Sequence, residues 1–202
     1  RWTGRDTGRG KGLPVVFIVT EQTEKWSGDF GREYTLRNPQ SFEEMEALYL
    51  KNYGLSRTEL NRKFLEGMDR STRILEVGSN LGNQLVCLQR MGFKSLYGIE
   101  LQSYAVEMAK SKTRGINIIQ GDASDIPFKD GFFDLVFTSG VLIHVSPKNL
   151  NGVLSEIHRC TKKYIFGFEY YSDETKEILY RGNKELLWKA NFARKYLDLF
   201  DD

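Results

Sequence analysis

The sequence predicts an α/β domain built on a doubly wound, mostly parallel sheet. Two observations carry this. Short β-rich apolar runs recur at 73–77, 95–100, 117–121, 133–138 and 164–170. Between them lie stretches with the 3.6-residue period of helices, at 82–91, 103–112 and 148–160. Strands joined through single helices make right-handed crossovers, and these set the strands parallel. A chain of 202 residues holds one such domain with a sizeable core.

Each element has its own signal. The helix at 82–91 is closed by Gly92, and that at 148–160 puts Leu150, Val153, Leu154 and Ile157 on one face. Two helices precede the first strand. Ser41 and Glu44 have the spacing of a capping box, ahead of Phe42, Met45, Leu48 and Tyr49, and Gly54 gives the stop. Ser56 and Glu59 repeat that spacing ahead of Leu60, Phe64, Leu65 and Met68. The stretch 184–200 reads as a last helix, with Trp188, Phe192, Tyr196 and Phe200 at i, i+4 spacing, and nothing strand-like follows it. Residues 1–19 read as a disordered or non-native extension, because the first thirteen are rich in Gly and Arg and the chain does not open on Met. The domain proper is expected over 20–202, with a helical N-terminal cap at 20–70.

Composition excludes several classes. The formal net charge is +2, and four basic residues against Asp6 put +3 of it in the first thirteen positions. The remainder is near neutral, so no basic face points to nucleic acid. The longest apolar run, Leu13–Val19, is too short to span a membrane. Cys87 and Cys160 lack metal-ligand spacing, which leaves buried free thiols and a reducing, cytoplasmic setting. No metal site is expected.

The chemistry gathers at the strand ends. "RILEVGSNLGN" at 73–83 runs from a strand into Gly78, with Gly82 behind it. Glycine allows close backbone approach and positive φ. The middle position is Asn80, the side chain that best tolerates the left-handed region after glycine, and its amide can reach a ligand. Glu76 precedes Gly78 by two residues. A carboxylate there repels a pyrophosphate and suits a cationic ligand. Glu100 ends the second strand, placed to accept hydrogen bonds from both hydroxyls of a ribose. Asp122, in "GDASDIPF", can accept from an adenine amine, or form an Asx turn onto Ser124. "FDLVFTSGVLIHV" brings Gly140 and His144 to the same edge.

The motifs "EVGSNLG", "GIE", "GDASDIPF" and "FDLVFTSGVLIHV", in that order over 73 to about 170, resemble the class I S-adenosylmethionine-dependent methyltransferases. The resemblance implies a Rossmann-like fold and S-adenosylmethionine as cofactor. Glu76, Gly78, Asn80, Gly82, Glu100, Leu101, Asp122, Ala123 and Gly140 would then bind it. A narrower resemblance, through "TEQTEKWSGDFGREYTLRN", the Gly-x-Asn-x-Gly loop and "KKYIFGFEYYSDETKEILYRGNKELLWKANF", is to the methylases associated with pseudaminic acid biosynthesis. It implies a small-molecule acceptor, such as a sugar or an intermediate of nonulosonic acid synthesis. The class I fold ordinarily closes its sheet with a terminal antiparallel hairpin. This sequence shows none, so an open sheet edge is expected.

On that reading Trp26, Phe30, Tyr34, Arg37 and Asn38 form a lid. Its aromatics would favour a sulfonium by cation–π attraction, and Arg37 would pair with the methionine carboxylate; the alternative is an amphipathic helix packed on the sheet with Arg37 solvated. His144 is the candidate base for a hydroxyl acceptor, or else a loop histidine bonded to backbone. His158 reads as structural. Tyr34, Glu169, Tyr170, Tyr171 and Arg181 are the candidates for the acceptor site, with Arg181 suited to an acidic sugar. Two other functions stay open: a non-catalytic S-adenosylmethionine-binding module, and a nicotinamide-dependent oxidoreductase, against which Glu76 and Asn80 count.

Overall fold

The structure is a computed structural model and describes residues 20–201. The expected extension at 1–19 lies outside them. Five parallel strands form the sheet: β1 (Arg73–Val77), β2 (Ser95–Glu100), β3 (Asn117–Gln120), β4 (Phe133–Ser139) and β5 (Thr161–Phe168), in the order β3-β2-β1-β4-β5. The order reverses between β1 and β4, and ligand crevices of open α/β sheets form at such a reversal.

Helices cover both faces. On one side α4 (Arg57–Leu65), α5 (Asn83–Arg90) and α6 (Ser103–Lys112) supply Leu65, Leu85, Leu88 and Val106 against Ile74, Leu96, Leu135 and Phe137. On the other, α7 (Pro147–Cys160) and α8 (Phe192–Leu199) bring Leu150, Leu154, Ile157 and Phe192 onto Leu75, Val77, Phe133 and Val136. Ile74 and Leu75 point to opposite cores because side chains alternate along a strand, and both are fully buried. Truncating either to Ala would cost about 2–5 kcal/mol.

The cap consists of α1 (Glu21–Ser27), α2 (Asp29–Arg37) and α3 (Phe42–Tyr53), followed by α4. Ser56 and Glu59 form the full capping box. At α3 only half of it forms: Ser41 accepts from Glu44 N, while the Glu44 carboxylate turns to Gln40 N at 2.8 Å. Gly31 lets α2 sit on the end of α1, since a Cβ there would fall 1.7 Å from the Trp26 carbonyl oxygen.

The structure corrects two expectations. The strand expected at 164–170 starts at Thr161, directly after α7, and ends at Phe168, which puts Tyr170 and Tyr171 beyond it. The helix expected over 184–200 is shorter. Trp188 and Lys189 form β7, antiparallel to β6 (Lys176–Glu177), and Asn191 caps α8 by accepting from Arg194 N. Leu186, Leu187 and Trp188 are buried in succession, which is not a helical pattern. Phe200 keeps its inward role and stacks on His158, centroids 3.8 Å apart. Among the described residues no strand pairs with the outer edge of β5. Cys87 and Cys160 are buried free thiols.

Candidate functional site

Above the strand ends lies a cavity of about 970 Å³, at the large end of the roughly 300–1,000 Å³ usual for small-ligand sites. Its floor is the β1–α5 loop. Gly78, Asn80 and Gly82 all have positive φ (72°, 45° and 74°). A Cβ on Gly78 would meet Val141 Cγ2 at 2.5 Å, and one on Gly82 would meet Ile118 Cδ1 at 2.8 Å. Gly78 and Asn80 line the cavity; Gly82 does not, and serves as the N-cap of α5. Asn80 adopts the left-handed conformation expected of it. Its amide is spent inside the protein, donating to Thr35 Oγ1 at 3.2 Å and accepting from Leu81 N at 2.9 Å.

The acidic wall is assembled from neighbouring strands. Glu76, at the end of β1, is buried, and its Oε2 has no hydrogen-bond partner among the described residues. Burial holds its carboxyl well above the usual carboxylate range; nearby Arg57 opposes the shift and Glu100 adds to it. Glu100 accepts from Asn80 N and Gln102 N, both at 2.9 Å. Burial still raises its pKa, against these backbone bonds. A carboxylate has about four acceptor sites, so capacity remains on the cavity side. Leu101, Asp122, Ala123 and Gly140 complete this side of the lining. Asp122 forms the Asx turn, accepting from the Ser124 amide and hydroxyl at 2.8 Å each, while it also faces the cavity.

The roof is the α1–α2 cap. Gln102 donates to the carbonyls of Ser27 and Gly28 at 2.9 and 2.8 Å. Gln22 donates to His144 O and accepts from Ser146 N. Trp26, Tyr34 and Asn38 line the cavity from above. Trp26 packs edge-on against Phe30 and Tyr34, and its Nε1 is buried without a partner among the described residues. Phe30 backs it from outside. Burial pushes the Tyr34 phenol up to about 12.

His144 ends a short 3-10 turn (Leu142–His144) and lines the cavity beneath Trp26, ring centroids 4.5 Å apart. Its Nδ1 donates to Leu186 O at 2.7 Å, which fixes the neutral tautomer with Nε2 as acceptor. The ring is therefore bonded to backbone, and it also faces the cavity. Burial lowers its pKa to about 4.

Several expected residues lie elsewhere. Arg37 does not line the cavity and pairs with Glu33 one helical turn away, at 3.4 Å. Glu169 turns inward and accepts from Val141 N and Ile143 N, at 3.1 and 3.4 Å, so it braces the β4 loop from behind. With Tyr171 it lines a separate cavity of about 550 Å³ under α8. Tyr171 is exposed and bonded to Asp173, Tyr170 packs under Lys189, and Arg181 is exposed over the Tyr180 ring. β5 ends at Phe168, so Tyr170 and Tyr171 leave the strand before the edge that the cavity occupies. Of the acceptor-site candidates, only Tyr34 reaches the main cavity. In their place come Tyr49 and Ser139, which line it, and buried Arg57 behind them. Arg57 has no sequence signature, since an arginine at the first position of a capped helix reads as a surface charge.

Residues 75–164 match the methyltransferase domain family. The phosphoethanolamine N-methyltransferase of Plasmodium falciparum is 26% identical over 117 residues, covering 56% of this chain and 44% of that protein. An uncharacterized methyltransferase of Synechocystis, sll0829, is 32% identical over 90 residues, covering 45% and 42%. The chain thus spans under half the length of these curated relatives. The crystal structure of a SAM-dependent methyltransferase from Aquifex aeolicus superposes with a TM-score of 0.55 at 20% identity, covering 73% of this chain and 76% of that one. The donor implied by the family is S-adenosylmethionine. The cavity suits it: the buried Glu76 oxygen and the Trp26 N–H have no partner among the described residues, and Glu100 keeps acceptor capacity. Residues 75–164 are thus similar to the methyltransferase domain family, and the sheet around them has the fold of the Aquifex aeolicus structure.

Proposed function

We propose that the chain transfers a methyl group from S-adenosylmethionine to a small-molecule acceptor. The observation that carries this is the convergence of Glu76, Glu100, Asp122 and Gly140, from four successive strand ends, on one cavity roofed by Trp26 and Tyr34. The donor, when bound, supplies a methyl group already activated on a sulfonium. What remains for the protein is to align the acceptor and exclude water. Glu100 would hold the ribose hydroxyls, Asp122 and Ala123 the adenine, and the α1–α2 cap would shut out solvent.

For a hydroxyl acceptor, His144 Nε2 is the proton-accepting atom. Its low basicity suits proton transfer that accompanies methyl transfer rather than precedes it. A sugar or an intermediate of nonulosonic acid synthesis is the acceptor class we favour, on the resemblance of both terminal segments to the pseudaminic acid-associated methylases. Lys148, at the cavity edge, offers a cation for an acidic group of such a sugar. The test is calorimetric titration with S-adenosylmethionine and, separately, NAD. Binding of the first alone supports the reading. Binding of NAD alone, or of neither by a folded sample, would reject it.

A further inference from the structure

β5 forms one edge of the sheet, and among the described residues no strand pairs with its outer side. No residue of β5 is fully buried. The opposite edge, β3, spans only Asn117–Gln120. β5 runs for eight residues and carries Tyr164, Ile165, Phe166 and Phe168. A long apolar edge with unpaired N–H and C=O groups is a template for another strand.

Both faces beside this edge are apolar as well. Tyr164 is 58% exposed, and exposed Phe64 packs on Phe166 with ring centroids 5.4 Å apart. On the α8 face Ile165 and exposed Leu197 line the smaller cavity. The backbone shows which groups are offered. Phe168 O accepts from Gly140 N at 2.9 Å, so its carbonyl turns toward β4. Peptide groups alternate sides along a strand, so Ile165 and Gly167 present their N–H and C=O outward.

Charge decides what fits. Lys162 and Lys163 stand at the start of β5, and exposed Asp173 and Glu174 follow its end. Lys163 reaches Asp134 at only 3.9 Å. A second β5 laid antiparallel, with Ile165 against Ile165, sets Tyr164 opposite Phe166 and Lys163 opposite Gly167. No two lysines then meet, since like charges directly opposite would destabilise the pair. Each lysine pair instead points toward the Asp173 and Glu174 of the other copy. The strand is thus complementary to itself in one orientation. A two-fold pairing uses the single β5 edge of each copy and closes there.

We propose that the outer edge of β5 binds a second copy of this chain, joining the two sheets through antiparallel β5 strands. Strand ends then point in opposite directions, so the main cavity of each copy stays open. The proposal is independent of what that cavity binds.

The test is sedimentation equilibrium of the full chain at tens of micromolar. The mass should be twice the 23.3 kDa of one chain. Exchange at the Ile165 and Gly167 amides should slow as the dimer fills. Tyr164→Lys, at an exposed position, should weaken the dimer tenfold or more, about 1.4 kcal/mol. Lys162→Glu with Lys163→Glu should weaken it too, and adding Asp173→Lys with Glu174→Lys should restore it. A wild type that stays at 23.3 kDa would overturn the proposal. So would a dimer that Tyr164→Lys leaves intact, a species that keeps growing with concentration, or a charge reversal that restores nothing.

Discussion

Asn80 Nδ2 donates to Thr35 Oγ1 at 3.2 Å, and Thr35 is 1% exposed. The glycine loop and the cap above it are therefore joined through one side chain. The position that departs from a glycine-only loop is also the one that fastens the roof. Asn is suited to both tasks, since it tolerates φ 45° and carries a donor.

Asn80→Gly should consequently leave the loop conformation unstrained while freeing the cap. We expect a loss of about 0.5–1.5 kcal/mol, the usual worth of one internal hydrogen bond. Amide hydrogen exchange should accelerate in α2 and stay unchanged in β1 and β2. Unchanged exchange in α2 would mean that Gln102 and Gln22 hold the cap without help.

Glu100→Ala should weaken S-adenosylhomocysteine by more than about tenfold. It removes the acceptor proposed to hold the ribose and also leaves Asn80 N and Gln102 N unpaired. Isothermal titration on a sample with a native-like melting transition measures this. An affinity equal to wild type would reject the role of Glu100.

Glu76 makes stability fall with rising pH. Its folded pKa is raised above 4.5, the value it has when exposed. Above pH 4.5 the unfolded chain releases this proton and the folded one retains it, so unfolding gains ground until the raised folded value is passed. Glu76→Gln removes the effect. The variant should be the more stable near neutrality, with the gap closing as pH falls toward 4.5. A gap that does not vary with pH, measured by urea unfolding, would argue against a raised Glu76.

His144 works in the opposite sense. Its pKa falls from 6.5 to about 4 in the folded protein. The stability it contributes is complete above 6.5 and is lost as pH drops toward 4, because the unfolded chain takes up the proton first. The total is on the order of 3–4 kcal/mol, from about 1.4 kcal/mol per pKa unit. His144→Gln should flatten this part of the profile. Because the Glu76 and His144 windows overlap, each slope is read as a difference from its own variant.

The sequence by itself determined the frame and one wall of the cavity. β1, β2 and α6 stand at the expected bounds, because alternation and helical period report which face each residue buries. Gly78, Asn80, Glu100 and Asp122 were legible for a related reason. Strand ends of a parallel sheet all open on one edge, so local order in the chain becomes proximity in space. The tertiary structure alone decided the rest. Arg57, Tyr49 and Ser139 meet across more than eighty residues of chain, and no local pattern encodes that meeting. Glu169 and Arg37 carried suggestive chemistry, but their neighbours turned them away, one toward the amides of the β4 loop and the other to Glu33. Periodicity fixes which side of an element faces inward. Which polar group from a distant helix arrives there depends on how the cap packs, and that is a property of the assembled molecule.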